Sequence, residues 1–160
     1  GRRRAGGQRG VSAPARSRLK SPRWLLTRGP LILIAGFALI QLVPYGRAHS
    51  NPPVTAEPAW DATTKRLFVT ACGDCHSNLT TWPWYSNVAP ISWLVQHDVD
   101  SGRSEMNLSE TRTFDVQRVI GAIQEGEMPP AIYTIQHPSA KLSAADKQRL
   151  IDGLRKAGGG

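Results

Sequence analysis

Two cysteines and a histidine are the residues of this chain whose type and spacing point most directly to chemistry. They lie together in Cys72-Gly73-Asp74-Cys75-His76, and the chain has no other cysteine. Two thiols one helical turn apart can bond to the two vinyl groups of a porphyrin, while the imidazole that follows binds its iron. The motif therefore predicts one covalently attached haem c, held by Cys72 and Cys75, with His76 as an axial ligand.

Other uses of a cysteine pair fit the surrounding sequence less well. A thioredoxin-type dithiol would need a preceding strand and a βαβ pattern, and neither is visible. A structural zinc site would need two more ligands, and the other histidines, His49, His97 and His137, have no paired spacing. A disulfide between the two cysteines would close a very short loop and constrain the unfolded chain little.

The sequence segments that must position this motif are predicted to be helices. Four stretches have helical spacing and none alternates like a strand, so we expect an all-α domain over residues 60–157. The first helix should begin with Asp61 as its N-cap and place Phe68 and both cysteines on one face. The third should stop at Gly126, and the last should open at Ser143 with Asp146 as its capping partner. The apolar residues expected to face the core in the last three helices are Ile91, Leu94, Val95, Val99, Val116, Val119, Ile120, Ile123, Leu150, Ile151 and Leu154.

Most of the chain's net charge of +8 comes from its first residues. Residues 1–30 hold nine of the 20 lysines and arginines and none of the 12 acidic residues, so the remainder is nearly neutral. We interpret residues 1–23 as a disordered, basic cytoplasmic tail that sets membrane topology. A nucleic-acid partner is disfavoured, because no aromatic residue lies among these charges to stack on bases.

An uncharged apolar stretch follows the basic tail. No charged residue occurs from Gly29 to Pro44, and Trp24 and Tyr45 flank the stretch as interfacial aromatics do. Residues 24–45 are therefore predicted to be a single-pass membrane anchor, with a cleaved signal peptide as the alternative. The proline-containing residues 46–59 are predicted to form a stalk. A basic tail followed by an anchor and a stalk predicts an N-terminus in the cytoplasm. The helical domain is then predicted to lie on the periplasmic or outer face of a bacterial cytoplasmic membrane.

The pattern around the motif resembles the haem-binding domain family of bacterial membrane-anchored, monohaem cytochrome c-like proteins. The resemblance covers residues from about Pro44 to Gly153, and its long Trp-Pro-Trp-Tyr element is far more specific than the cysteine motif alone. The matching segments are Cys72 to Asn78, Thr81 to Pro90, Ser92-Trp93-Leu94, Asp98-Val99 with Gly102-Arg103, Gly126 to Pro130, and Tyr133 before His137-Pro138.

The resemblance also implies a second axial ligand. In cytochromes c a Met-Pro segment after the third helix supplies a thioether, and Met128-Pro129-Pro130 stands in that position. Met128 is the first candidate, and the prolines would fix where its side chain reaches. His137 is the main alternative and would give bis-histidine ligation. Met106, the only other methionine, is a weaker candidate.

Aromatic residues concentrate in the helical domain, where aliphatic residues are too few to enclose a core without them. We expect the tryptophans to wrap a porphyrin. Trp82 or Trp84, together with Tyr85 or Arg103, is expected to donate a hydrogen bond to a haem propionate.

These features predict a membrane-tethered, one-electron carrier that exchanges electrons with redox proteins or belongs to a larger membrane redox complex. It would not be an enzyme, because a peroxidase would ordinarily need a second haem or a distal acid-base pair. The alternative is a haem-based sensor or ligand-binding module, in which the sixth coordination position is weakly held or open.

Overall fold

The computed structural model describes residues 23–158, and these residues form helices and connecting loops without a β-strand. The prediction of an all-α fold is thereby confirmed for the described part of the chain. The basic tail over residues 1–23 lies outside it, apart from Arg23. The α-helices are α1 (Arg23–Ile40), α2 (Ala62–Phe68), α3 (Asp74–His76), α4 (Ile91–Glu105), α5 (Val116–Glu125), α6 (Ala131–Gln136) and α7 (Ala144–Gly158).

The chain divides into two compact units, Gly1–Gly36 and Phe37–Gly160. The described part of the first unit lies in α1, which contains Pro30 and leaves Leu31, Ile32, Leu33 and Ile34 exposed. Among the described residues, no helix combines the length and the apolar character needed to cross a membrane.

The ends of three helices in the second unit form as their local sequences predict. The Asp61 carboxylate accepts hydrogen bonds from the backbone N–H groups of Thr63 and Thr64 at the start of α2. Gly126 ends α5 with a φ of 78°, a conformation that glycine adopts without steric cost. At the start of α7, the Asp146 N–H donates to the Ser143 hydroxyl, which in turn donates to the Asp146 carboxylate.

A π-helical segment, Val69–Gly73, joins α2 to α3, so the chain is helical from Ala62 to His76. The wider turn changes which way the cysteines face, because a π-turn inserts one extra residue. Cys72 packs against the hydrophobic core, as Phe68 does, whereas Cys75 lines a cavity that Phe68 does not reach. The prediction that Phe68 and both cysteines share one face therefore holds only for Cys72.

The hydrophobic core lies between α2, α5 and α7. It contains five of the residues predicted to face inward from the last two helices, together with Leu67, Phe68 and Leu108; those five are Ile120, Ile123, Leu150, Ile151 and Leu154. Helix α4 departs from the prediction, because Ile91 and Leu94 are exposed. Its buried residues are Ser92, Val99 and Gly102, and two of these three are small.

Residues 46–59, which we predicted to be a stalk, pack on the helical domain. Asn51 donates to the Thr80 carbonyl oxygen at 2.9 Å, and the N–H groups of Thr55 and Ala56 both donate to the Ser109 carbonyl oxygen. His49 stacks on Trp82 with ring centroids 4.7 Å apart. The segment therefore belongs to the folded unit, since its backbone and side chains find partners there.

Helix α6 was not predicted from the sequence. It spans only Ala131–Gln136, which is too short to show a periodic apolar pattern, and it follows the two prolines that we interpreted only as fixing where the Met128 side chain reaches. Its position matters because it directly follows Met128-Pro129-Pro130.

Candidate functional site

Two neighbouring cavities open beside the cysteine motif, with volumes of about 540 and 340 Å³. Both are lined by Cys72, His76, Glu105 and Met128. The larger one has an apolar wall that includes Phe68, Phe114, Val119 and Ile123, and the smaller one reaches Cys75 and Tyr133. We call these two adjoining cavities the cleft. The structure therefore brings the two cysteines, the histidine and the predicted methionine ligand to one cleft.

The His76 ring is oriented by a backbone contact from a distant part of the chain. Its Nδ1 lies 3.2 Å from the carbonyl oxygen of Met106, and the Leu108 N–H donates to the His76 carbonyl oxygen at 3.0 Å. A carbonyl oxygen can only accept, so Nδ1 carries the proton of this contact, and in the neutral imidazole the lone pair is then on Nε2. An imidazole held this way presents Nε2 as a metal ligand.

Burial keeps both cysteine thiols neutral. It raises the pKa of Cys72 to about 12, with a smaller contribution from the neighbouring Cys75. It raises the pKa of Cys75 to about 11, to which Asp98 and Asp74 add while Arg103 acts in the opposite direction. Nucleophilic dithiols have lowered pKa values, so the site does not resemble a thioredoxin-type centre.

Glycine allows α4 to approach the cysteine motif closely. A Cβ atom on Gly102 would overlap the backbone carbonyl group of Cys75, so any larger residue would push the two helices apart. This contact explains why α4 buries its small residues and leaves Leu94 exposed. A glycine inside a helical stretch was the only sign of it in the sequence.

The two predicted alternatives for the second axial ligand are placed differently. Met128 lines both cavities and its side chain is partly accessible, with the residue 37% exposed. His137 lines neither cavity. Its Nδ1 is 3.2 Å from the Tyr133 carbonyl oxygen and its Nε2 is 3.5 Å from the Tyr85 hydroxyl. Met106 lines the larger cavity as well as supplying the carbonyl oxygen for His76.

A hydrogen bond that we did not predict joins the cysteine motif to α6. The Tyr133 hydroxyl donates to the Asp74 carboxylate at 2.7 Å, and the Thr81 N–H donates to the other Asp74 oxygen at 2.8 Å. Burial, reinforced by Asp74, raises the pKa of Tyr133 far above its usual value. Tyr133 is therefore a neutral phenol that can donate.

The residues predicted to bind a propionate do not line either cavity. Trp82 donates to the Asn51 side chain at 3.3 Å, Trp84 is 80% exposed, and Tyr85 contacts Trp84 and His137. None of the tryptophans in the described residues lines these two cavities, so the structure does not place them around a porphyrin. The propionate assignments stay predictions.

Arg103 instead joins three segments of the helical domain. Its guanidinium donates to the Ser77 and Ser50 carbonyl oxygens at 3.0 and 2.9 Å. It also donates to the Asn51 side chain and the Thr80 hydroxyl at 3.0 and 2.9 Å. The side chain thus holds α4 and residues 50–51 against the loop that follows the cysteine motif.

We predict that Arg103→Lys lowers the free energy of unfolding by about 1–3 kcal/mol, because an ammonium group cannot reach four acceptors in the same plane. Denaturant unfolding measures the change. Arg149→Lys is the matched control, because Arg149 is exposed and pairs only with Asp146, three residues before it. Unchanged stability with a shifted reduction potential would instead assign Arg103 to a propionate.

The cleft suits haem by the chemistry of its side chains. It offers two neutral thiols, an imidazole with a free Nε2, a thioether and an apolar wall, which are the groups that a c-type haem site requires. Gly121 also lines the cleft, and a Cβ atom there would meet no protein atom within 4 Å. The residues present therefore fit the group.

An all-helical domain with a Cys-x-x-Cys-His cleft defines a haem-binding class of protein, and comparison with known families agrees. Residues 35–156 match the haem-binding domain family. The chain belongs to this family, and we conclude that it binds haem. The match confirms the resemblance identified from the sequence. No curated protein and no solved structure matches the chain.

Proposed function

We propose that this chain is a monohaem c-type cytochrome that carries single electrons. Cys72 and Cys75 would form the two thioether bonds, His76 the proximal ligand bond and Met128 the bond on the other face. The observation that carries the proposal is the orientation of His76, whose Nδ1 is held by the Met106 carbonyl oxygen in a cleft that both cysteines line. When bound, haem c supplies a one-electron iron couple.

The chain's own residues would tune that couple. The Met106 carbonyl oxygen would fix the orientation of the His76 ring by accepting from Nδ1, and a thioether ligand from Met128 would favour the reduced state relative to a second histidine. The apolar wall that includes Phe68 and Phe114 excludes water and lowers the local dielectric constant. If His76 and Met128 both bind the iron, the site would be suited to electron transfer rather than to turnover of a substrate, so we propose no enzymatic activity.

We also propose that the domain acts at the outer face of the bacterial cytoplasmic membrane. Support comes from the uncharged stretch Gly29 to Pro44, the basic residues before it, and the exposed apolar side chains of α1. A tether would raise the effective concentration of the haem near membrane redox partners or within a redox complex. Residues 24–45 would act as the anchor or as an export signal, and we propose no nucleic-acid partner.

A haem-based sensor is the second candidate, and one observation favours it. Met128 is partly exposed and lies in a loop after α5, so a gaseous ligand could displace it. An electron carrier and a sensor differ in how readily the reduced protein binds carbon monoxide.

Four measurements on the purified wild-type protein test the proposal. Mass spectrometry and the pyridine haemochrome assay should show one covalently bound haem per chain. A redox titration should follow a one-electron Nernst curve, and the reduced protein should bind carbon monoxide slowly. A chain that matures without covalent haem would refute the proposal, whereas rapid carbon monoxide binding would favour the sensor.

A further inference from the structure

We propose that Tyr133 is the positioning residue that selects the sixth ligand, because it holds Met128 at the cleft and keeps His137 away from it. The inference rests on the proposed function and extends it to a residue that is not itself a ligand. Tyr133 lines the smaller cavity, and it contacts both the cysteine motif and His137.

The first contact anchors α6 to the haem attachment turn. The Tyr133 hydroxyl donates to Asp74, which lies between the two cysteines, at 2.7 Å. The other Asp74 oxygen accepts from the Thr81 N–H, so the carboxylate cannot turn away without losing a second bond. A hydrogen bond to a charged, partly buried acceptor is among the stronger ones in proteins.

A short, constrained segment links Tyr133 to Met128. Only Pro129, Pro130, Ala131 and Ile132 separate them, and the Tyr133 N–H donates to the Pro130 carbonyl oxygen at 3.0 Å. Two prolines and a hydrogen-bonded turn leave this connection few conformations. On its other side, the Met128 N–H donates to the Ala122 carbonyl oxygen at 3.1 Å, at the end of α5. Met128 is thus held between α5 and the Tyr133 anchor.

His137, the competing ligand, also contacts Tyr133. Its ring stacks on the Tyr133 ring with centroids 4.3 Å apart and an interplanar angle of 26°. Its Nδ1 lies 3.2 Å from the Tyr133 carbonyl oxygen, and its backbone N–H donates to the same atom at 2.9 Å. The Tyr133 ring and the Tyr133 backbone carbonyl oxygen therefore both help to keep this imidazole out of the cleft, and only the ring contact depends on the side chain.

Two substitutions separate the two roles of Tyr133. Tyr133→Phe removes the bond to Asp74 and keeps the stacked ring, so Met128 should remain the ligand but be displaced more easily. Carbon monoxide should then bind the reduced protein about tenfold faster, which corresponds to losing one charge-assisted hydrogen bond. Tyr133→Leu removes the bond to Asp74 and the stacked ring but keeps the backbone carbonyl oxygen at this position. Loss of the stacking should release the His137 imidazole, and the spectrum should change from His/Met to bis-histidine ligation. The double variant Tyr133→Leu/His137→Asn should show no bis-histidine signal.

Amide hydrogen exchange gives a readout that does not depend on the iron. In Tyr133→Phe, peptides that cover residues 126–133 should exchange about tenfold faster than in the wild type, because the anchor is lost. Asp74→Ala is the second variant if Tyr133→Leu fails to fold, and it should behave like Tyr133→Phe, because it leaves the Tyr133 hydroxyl without its acceptor. Ile135→Ala is the matched control on α6, since Ile135 is 70% exposed and lines neither cavity.

The outcomes distinguish this inference from the proposed function. If exchange and carbon monoxide binding in both Tyr133→Phe and Asp74→Ala stay within twofold of the wild type, Tyr133 does not position Met128. Bis-histidine spectra in the wild type would likewise overturn the inference while leaving covalent haem intact. Absence of covalent haem in the wild type would refute the proposed function, and the exchange experiment would still decide whether Tyr133 anchors this segment.

Discussion

The double substitution Cys72→Ala/Cys75→Ala is expected to abolish covalent haem attachment, reducing the covalently bound haem from one per chain to none. Both thioether bonds need a thiol, and the chain has no other cysteine that could replace them. Mass spectrometry of the denatured protein measures the change, because only covalently bound haem remains on the unfolded chain. Each single variant should keep one thioether bond and mature in lower yield.

The double cysteine variant should also be less stable. The cleft walls include Phe68, Phe114 and Val119, and without covalent haem they would lose the apolar porphyrin surface that is proposed to fill the two cavities. The unfolding midpoint should therefore fall well below that of the haem-bound wild type. Leu79→Ala is the control, because Leu79 is exposed in the loop just after the motif. Haem that stays on the denatured double variant would contradict attachment through these cysteines.

Replacing Met128 by alanine should produce the largest change in the reduction potential. Loss of a thioether ligand should lower the potential by roughly 0.1 V or more and should remove the long-wavelength sulfur-to-iron absorption band of the oxidised protein. The reduced variant should bind carbon monoxide rapidly, because its sixth position would be open. A redox titration with absorption spectra of both states measures all three effects.

Two further variants control the Met128 prediction. His137→Asn should leave the band and the potential almost unchanged, because His137 lines neither cavity. Met106→Leu should also preserve the band, since the contact to His76 comes from the Met106 backbone carbonyl oxygen. A normal band in Met128→Ala together with its loss in His137→Asn or Met106→Leu would assign the ligand to the other residue.

Bis-histidine ligation and His/Met ligation would suit this chain to different partners, since the axial ligand is a main determinant of reduction potential. If Tyr133 positions both Met128 and His137, as we propose, the choice between them depends on a residue that is not itself a ligand. The electron donor and acceptor would then be constrained by the measured potential of the wild type.

Features that depend on residues close together in the chain could be predicted from the sequence. The Asp61 cap, the Gly126 stop and the Ser143 capping pair each involve groups within about one helical turn, so their chemistry is local. The cysteine motif is local for the same reason. The apolar spacing of α5 and α7 also predicted their buried faces, because one stripe of each helix faces the core.

Features that join distant segments were decided only by the tertiary structure. The carbonyl oxygen that orients His76 lies 30 residues away along the chain, and the Tyr133 contact to Asp74 spans 59 residues. Arg103 holds residues 50–51 against the helical domain by hydrogen bonds. Residues 46–59 are therefore packed on the domain, whereas we had predicted a stalk. Backbone carbonyl groups carry no sequence signal, and helix α4 buries its small residues because Gly102 must meet the Cys75 backbone. The sequence by itself therefore identified the groups that we propose to bind haem, whereas the packing of the helices determined how those groups are held.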